Sequence, residues 1–244
     1  MKYNHALLYR WLIGNSFAFL ALYVAWLQGW LEVAFAIDAS AITVAMTVLF
    51  AIFWVASTIR MLHINREISR FLSGVSEGLA ADYFENLRTK SANQGGGTVD
   101  QSLLASTLRA RVLLPVQVFN FVANLMVLIA LIGTVLGFVI ATHGLGDVLA
   151  QGEGVEGVKG VVGQIVNGLG IAPAATLVGS ILGGLWLGVH HQLLYNAASA
   201  LVVGIVEKAE IEVIPRMATA GVPSRPHAAP AIEPRLARTA EEAR

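Results

Sequence analysis

The chain contains no cysteine, which excludes disulfides and thiolate-bound metals. It is also short of charge. Asp, Glu, Lys and Arg make up 13% of its 244 residues, and the 16 acidic and 16 basic side chains cancel. A net charge of zero gives no bulk attraction to nucleic acid, which is not expected as a partner. Two stretches, 112–142 and 161–189, hold no acidic or basic residue at all. No nucleophile stands beside a base and no metal-ligating cluster is present, so neither enzyme chemistry nor a resident cofactor is expected. The opening MKYNHALLYRWLIGNS lacks the short apolar region and small-residue cleavage site of a secretory signal, so it is expected to persist as a first membrane span.

What is present is apolar. Hydrophobic residues make up 56% of the chain and the mean hydropathy is +0.66, outside the range of ordinary soluble domains. Crossing a bilayer core takes about 20 apolar residues. Four segments meet that length, from Leu7 to Leu27, Val33 to Ile59, Val112 to Thr142 and Val161 to Val189. The expected fold is an all-α integral membrane protein with four transmembrane helices and helical extensions outside the bilayer. Residues 1–60 form a transmembrane hairpin with a tight turn around Gln28 to Glu32. Residues 61–111 continue as an amphipathic helix broken at Asn93-Gln94-Gly95-Gly96-Gly97, with Asp100 or Ser102 capping the next helix. Residues 112–214 hold the third and fourth spans, and 215–244 form a disordered tail rich in Ala, Pro and charge.

Charge placement sets the orientation. All of the 16 Lys and Arg residues except Lys159 lie before the first span's core, between the second and third spans, or after the fourth. Positive residues stay inside, so both termini and the segment 60–111 are expected in the cytoplasm. Arg10 is placed to snorkel to the near surface, Asp38 lies near the outer end of the second span, and Trp11, Trp26 and Trp30 fall at the interfaces. His190 and His191 have no carboxylate beside them and are also expected at an interface.

The third and fourth spans are dense in small residues. Helices in lipid associate by close packing, so small residues four apart mark contacts. Gly133, Gly137 and Ala141 form one such row. Gly168, Ala172, Thr176, Ser180 and Gly184 form another, with Gly179 and Gly183 beside it. Asn120, Asn124 and Thr134 make a polar line on the third span, Asn120 and Thr134 falling within about 40° of one another at 3.6 residues per turn. That line suits either a hydrated path or interhelical hydrogen bonding. Pro173, following Gly168 and Gly170, is expected to loosen the outer half of the fourth span.

The runs LIGTVLGFVI and GLGIAPAATLVG resemble the MotA/TolQ/ExbB proton-channel family. Its GTVxG pattern is Gly133-Thr134-Val135-Leu136-Gly137 here. Its spaced Gly and T-x-x-G are Gly168 and Thr176-Leu177-Val178-Gly179. The resemblance covers residues 112–207, and the four-span layout is closer to the flagellar stator branch than to the three-span TolQ/ExbB branch. The chain departs from the pattern at three places. Ile171 stands where TolQ/ExbB subunits carry a glutamate, Val127 stands where a proline often precedes GTVxG, and Tyr195-Asn196 sits later than the family's Tyr-Asn pair. The segment 60–111 is also short beside that of flagellar stators.

The resemblance implies a homopentamer in the bacterial inner membrane around a dimer of a single-span MotB/ExbD/TolR-like subunit. The partner's aspartate would bind and release H+ or Na+. This chain would supply the wall of the pathway through Thr134, Thr176, Ser180, Asn120 and Asn124. Gly133, Gly137, Gly168, Ala172, Pro173, Gly179 and Gly183 would let helices of the ring and partner pack closely. Ion flow would then be converted into rotation or other mechanical work. A different class of reading is a four-span transporter or structural membrane scaffold acting without such a partner, for which small-residue packing alone suffices.

Overall fold

The computed structural model describes residues 6–37, 41–75, 77–94, 99–151 and 155–220. Regular structure among them is helical throughout. It comprises α1 (Ala6–Leu27), α2 (Trp30–Ile37), α3 (Ile42–Ser73), α4 (Leu79–Asn93), α5 (Ser102–Gln151), α6 (Val155–Val178), α7 (Gly188–Lys208) and α8 (Ile214–Ala220). The chain winds as a π-helix over Gly179–Leu187 between α6 and α7, and again over Ala209–Val213 before α8. The run from α6 to α8 is therefore helical without interruption. Four stretches are long and apolar enough to cross a membrane: Leu7–Leu27, Ile42–Ser73, Ser102–His143 and Ala172–Met217. The protein is all-α, with an architecture consistent with a multi-pass membrane protein.

Several boundaries differ from the sequence expectation, each for a local reason. The first turn is confined to Gln28 and Gly29, where Gly29 takes φ +72° at no steric cost. Helix resumes at once as α2, and Ala41 (φ 57°) marks the start of α3. The stretch from Val33 to Ile37 thus belongs to a separate short helix, and the second span begins at Ile42. Asp38 lies outside the described residues, as do Gly95 to Gly97. The amphipathic helix expected from Arg60 to Lys90 is broken in two. Gly74 (φ 67°) closes α3 in a Schellman arrangement, its N–H donating to the Phe71 carbonyl (3.3 Å) while the Val75 N–H donates to that of Arg70 (3.2 Å). The buried carboxylate of Glu67 then accepts the Leu79 N–H (2.8 Å) at the start of α4 and a bond from Arg70 (3.0 Å).

The cap of α5 is the one expected. Asp100 accepts hydrogen bonds from the Ser102 N–H and hydroxyl, each at 2.9 Å, and these hold its carboxyl below the usual carboxylate range. Pro115 and Pro173 both lie inside continuous helices. The change of winding expected near Pro173 comes later, at Gly179. Helix α8 runs past Pro215 to Ala220, while the rest of the tail, 221–244, lies outside the described residues.

Helix α5, at 50 residues, is about 75 Å long and outreaches a hydrocarbon core of about 30 Å. It packs along α6, the π segment and α7, with α3 against both and α1 at the edge. One apolar cluster lies toward the charged ends of the helices, where Met61, Tyr83, Leu87, Val112, Leu194 and Ile205 meet. A second lies deeper and joins Met46, Phe50, Met126, Ala130, Ala175 and Trp186.

Helix α1 belongs to this bundle by a polar attachment. Only 6% of its apolar window is buried, against 33% for the fourth span, and Asn15 is its one buried residue among those described. The Asn15 amide is saturated. Its nitrogen donates to the Trp11 carbonyl (2.9 Å) and to His190 Nε2 (2.9 Å), and its oxygen accepts from Trp54 Nε1 (2.9 Å) and Trp186 Nε1 (3.3 Å). His190 Nδ1 faces the Trp186 carbonyl at 2.8 Å, so Nδ1 carries the proton and Nε2 is left as acceptor. Replacing Asn15 by Leu strands the indole N–H groups of buried Trp186 and half-buried Trp54, at about 1–3 kcal/mol for a fully buried group and less for the half-buried one. The expected outcome is a lower unfolding temperature in detergent, with a loss of at least about 1–3 kcal/mol from the Trp186 N–H alone, read by tryptophan fluorescence.

Candidate functional site

Two threonines from the central helices meet at the contact between α5 and α6. Thr134 is one residue beyond Gly133 on α5, and Thr176 is one beyond Ala175 on α6. A Cβ built on Gly133 would fall 2.7 Å from that of Ala175, so the two backbones approach as closely as they do because position 133 has no side chain. That approach brings the Thr134 and Thr176 hydroxyl oxygens to 2.5 Å. The Thr176 hydroxyl reaches the Ala172 carbonyl (3.0 Å), while that of Thr134 reaches the carbonyls of Ala130 (3.0 Å) and Ala172 (3.3 Å).

Counting protons shows what the pair offers. Two hydroxyls carry two hydrogens. One serves the oxygen–oxygen contact and the other a carbonyl, whichever threonine donates to its partner. Accepting lone pairs remain on the pair, so it receives a hydrogen bond from an incoming acid without rearrangement. To solvate a carboxylate, one hydroxyl must turn outward and release its carbonyl. The Thr134 side chain is half-buried and Thr176 is exposed, so the pair lies at the protein surface and not in a sealed core.

The glycines beyond it hold the helices together. Gly179 lies against Ala130 Cβ and the Met126 carbonyl, and Gly183 lies where a Cβ would sit 2.6 Å from Met126 Cβ and 3.1 Å from the Ala123 carbonyl. Both belong to the π-wound segment. Gly137 and Ala172 are buried, Pro173 is exposed, and Gly168 and Ile171 are part of α6. Ser180 is exposed and donates to the Leu177 carbonyl (3.1 Å), not to either threonine.

Asn120 and Asn124 are also apart from the pair. Asn124 is ten residues before Thr134, about 15 Å along α5. Both asparagines line a separate open hollow of about 650 Å³ shared with Gln117, His191 and Tyr195. His191 is tied there by its Nδ1–H to the Val116 carbonyl (3.1 Å). The two histidines, adjacent in sequence, therefore have different surroundings: His191 faces the hollow and His190 is buried against Asn15. His190 is thus not at the interface expected for both histidines, and its partner Asn15 has no marker in the sequence. A lone asparagine and a histidine pair carry no spacing signal, because their partners are 175 residues apart in the chain. Among the described residues no group of His, Asp or Glu is arranged to hold a metal.

A β-branched side chain at position 183 requires α5 and the π segment to separate. Gly183→Val is expected to destabilise the protein by about 1–3 kcal/mol through overpacking, measured by thermal unfolding in detergent. The same change at Gly160, with nothing within 4 Å of its built Cβ, is expected to be near neutral. No protein-family model, curated protein or solved structure matches the chain.

Proposed function

We propose that this chain is the ion-channel subunit of a membrane motor driven by the proton motive force. In this reading it forms a pentameric ring in the bacterial inner membrane, with both termini in the cytoplasm, around a dimer of a single-span subunit bearing a membrane aspartate. The observation that carries the proposal is the Thr134–Thr176 hydroxyl pair, set across a glycine-dependent helix contact in two spans without charge. The motif resemblance of the same residues supports it.

The physical role follows from that chemistry. A carboxylate inside a bilayer is costly unless it is hydrated or hydrogen-bonded. This chain places no acidic or basic residue at 112–142 or 161–189, so the group that binds H+ or Na+ belongs to the partner. The threonine pair accepts from the protonated acid as it stands. It donates to the carboxylate after one hydroxyl turns. It thus offers a partner to both forms while adding no fixed charge of its own. Moving one charge through 100 mV releases about 2.3 kcal/mol, which a ring of such walls delivers as stepwise rotation or other work.

Co-expression with a single-span, aspartate-bearing membrane protein encoded beside this chain, followed by native mass spectrometry, tests the assembly. The expected species contains five copies of this chain and two of the partner. A monomer or dimer that captures no such protein would sink the proposal. Within the complex, Thr176→Val is expected to preserve stoichiometry and reduce ion uptake into proteoliposomes about tenfold or more, the loss of one site-directed hydrogen bond to a charge. Unchanged uptake would remove the hydroxyl from the mechanism.

A further inference from the structure

At the charged ends of the spans, a cavity of about 340 Å³ lies between α3, α4, α5 and α7, within the range of about 300–1,000 Å³ typical of small-molecule sites. Arg60 and His63 line it from α3, Asp82 from α4 and Arg111 from α5, with Glu67 beside them. Glu67 pairs with Arg70 and accepts the Leu79 N–H, and makes no ion pair with Arg60 or Arg111. No ion pair joins Arg60, Arg111 or Asp82 to another of the described residues. Arg60 makes one long bond, from Nη2 to the Val112 carbonyl (3.4 Å), and its Nε is buried with no acceptor. A buried guanidinium N–H without a partner is costly, and guanidinium groups match phosphate oxygens in both charge and geometry.

Depth in the membrane selects the source of the phosphate. Arg60 is the first charged residue after the uncharged run from Ala41 to Ile59, and Arg111 is the last before the uncharged run that starts at Val112. Both guanidiniums therefore stand where apolar helix surface gives way to polar. Ile59, next to Arg60, is 63% exposed on the apolar side. Phospholipid phosphates lie at this level, with acyl chains on one side and water on the other.

We infer that the cavity is a binding site for the phosphodiester headgroup of a membrane phospholipid. Arg60 and Arg111 hold the phosphate, and Asp82 takes the ammonium of an ethanolamine headgroup. The site is independent of the threonine pair and of the motor reading. It ties α3 and α5 to a lipid at one depth and so fixes how far the bundle sits in the bilayer.

The test uses the full-length protein in detergent, stripped of lipid, with its unfolding temperature followed as dioleoyl phosphatidylethanolamine or phosphatidylglycerol is added in mixed micelles. The expected result is stabilisation by both lipids, stronger for the ethanolamine lipid. Arg60→Gln/Arg111→Gln should need about tenfold more lipid for the same shift, as expected for losing charge-assisted bonds to phosphate. Arg60→Lys/Arg111→Lys, which keeps both charges but loses the planar forks, should respond more weakly than the wild type and more strongly than the glutamine pair, and Asp82→Asn should lose only the preference for ethanolamine. Elution of each variant as the wild-type species certifies its fold. If the glutamine pair does not fold, the lysine pair and Asp82→Asn decide alone. No stabilisation of the wild type by either lipid, or an equal response in the glutamine variant, would overturn the site. A lysine pair that responds as the wild type does would overturn the assignment to guanidinium groups. An ethanolamine preference that survives Asp82→Asn would overturn the role of Asp82. An equal shift from inorganic phosphate at the same concentration would assign the cavity to a soluble phosphate compound and overturn the lipid.

Discussion

The structure depends on how closely two apolar helices approach. Lipid tails are as apolar as leucine, so burying hydrophobic surface gives little reason for α5 to meet α6 rather than lipid. Dispersion between well-fitted surfaces does, and it falls off within a fraction of an ångström. Gly133 against Ala175, and Gly179 and Gly183 against Ala130 and Met126, supply that fit. The hydroxyl contact between Thr134 and Thr176 follows from it, because the same approach brings the two oxygens together. Any side chain that holds the helices apart at these positions also opens the polar pair.

Where shape does not hold a helix, polar saturation does. Helix α1 turns most of its surface outward and is attached through the Asn15 amide, whose four hydrogen-bonding positions are all filled by groups on α1, α3, α7 and the π segment. An unpaired amide in hydrocarbon costs several kcal/mol, so this junction opposes any displacement of α1 that would break it. Edge contacts of Phe19 with the Trp54 and Trp186 rings, at 5.6 and 5.4 Å, extend the same junction one turn along.

Much of this was legible in the sequence, and the parts that were not share a cause. Four spans, the small-residue rows and the two threonines follow from local composition, which a chain read in order displays. The cap at Asp100 and the end of α4 at Asn93 are local as well. The break at Gly74 and Gly78 was hidden because apolar residues keep helical spacing on both sides of it, while the turn is fixed by Glu67, a residue that reads as one more charge on a solvated face. The Asn15–His190 junction joins opposite ends of the chain and has no signature in either neighbourhood. Helical phase puts Asn120, Asn124 and Thr134 on one face of α5, and the fold adds the neighbours that phase does not carry, His191 and Tyr195 beside the asparagines.

The π-wound segment sets the angular relation between the two polar centres. A π turn takes in one more residue than an α turn, and each added residue rotates everything after it by about 100°. Thr176 lies before the segment and points to α5, whereas His190 lies after it and points to α1. The helix therefore works as an indexing shaft, cut so that its two ends engage different neighbours. Its winding between Gly179 and Leu187 sets the phase at which those two ends leave the helix.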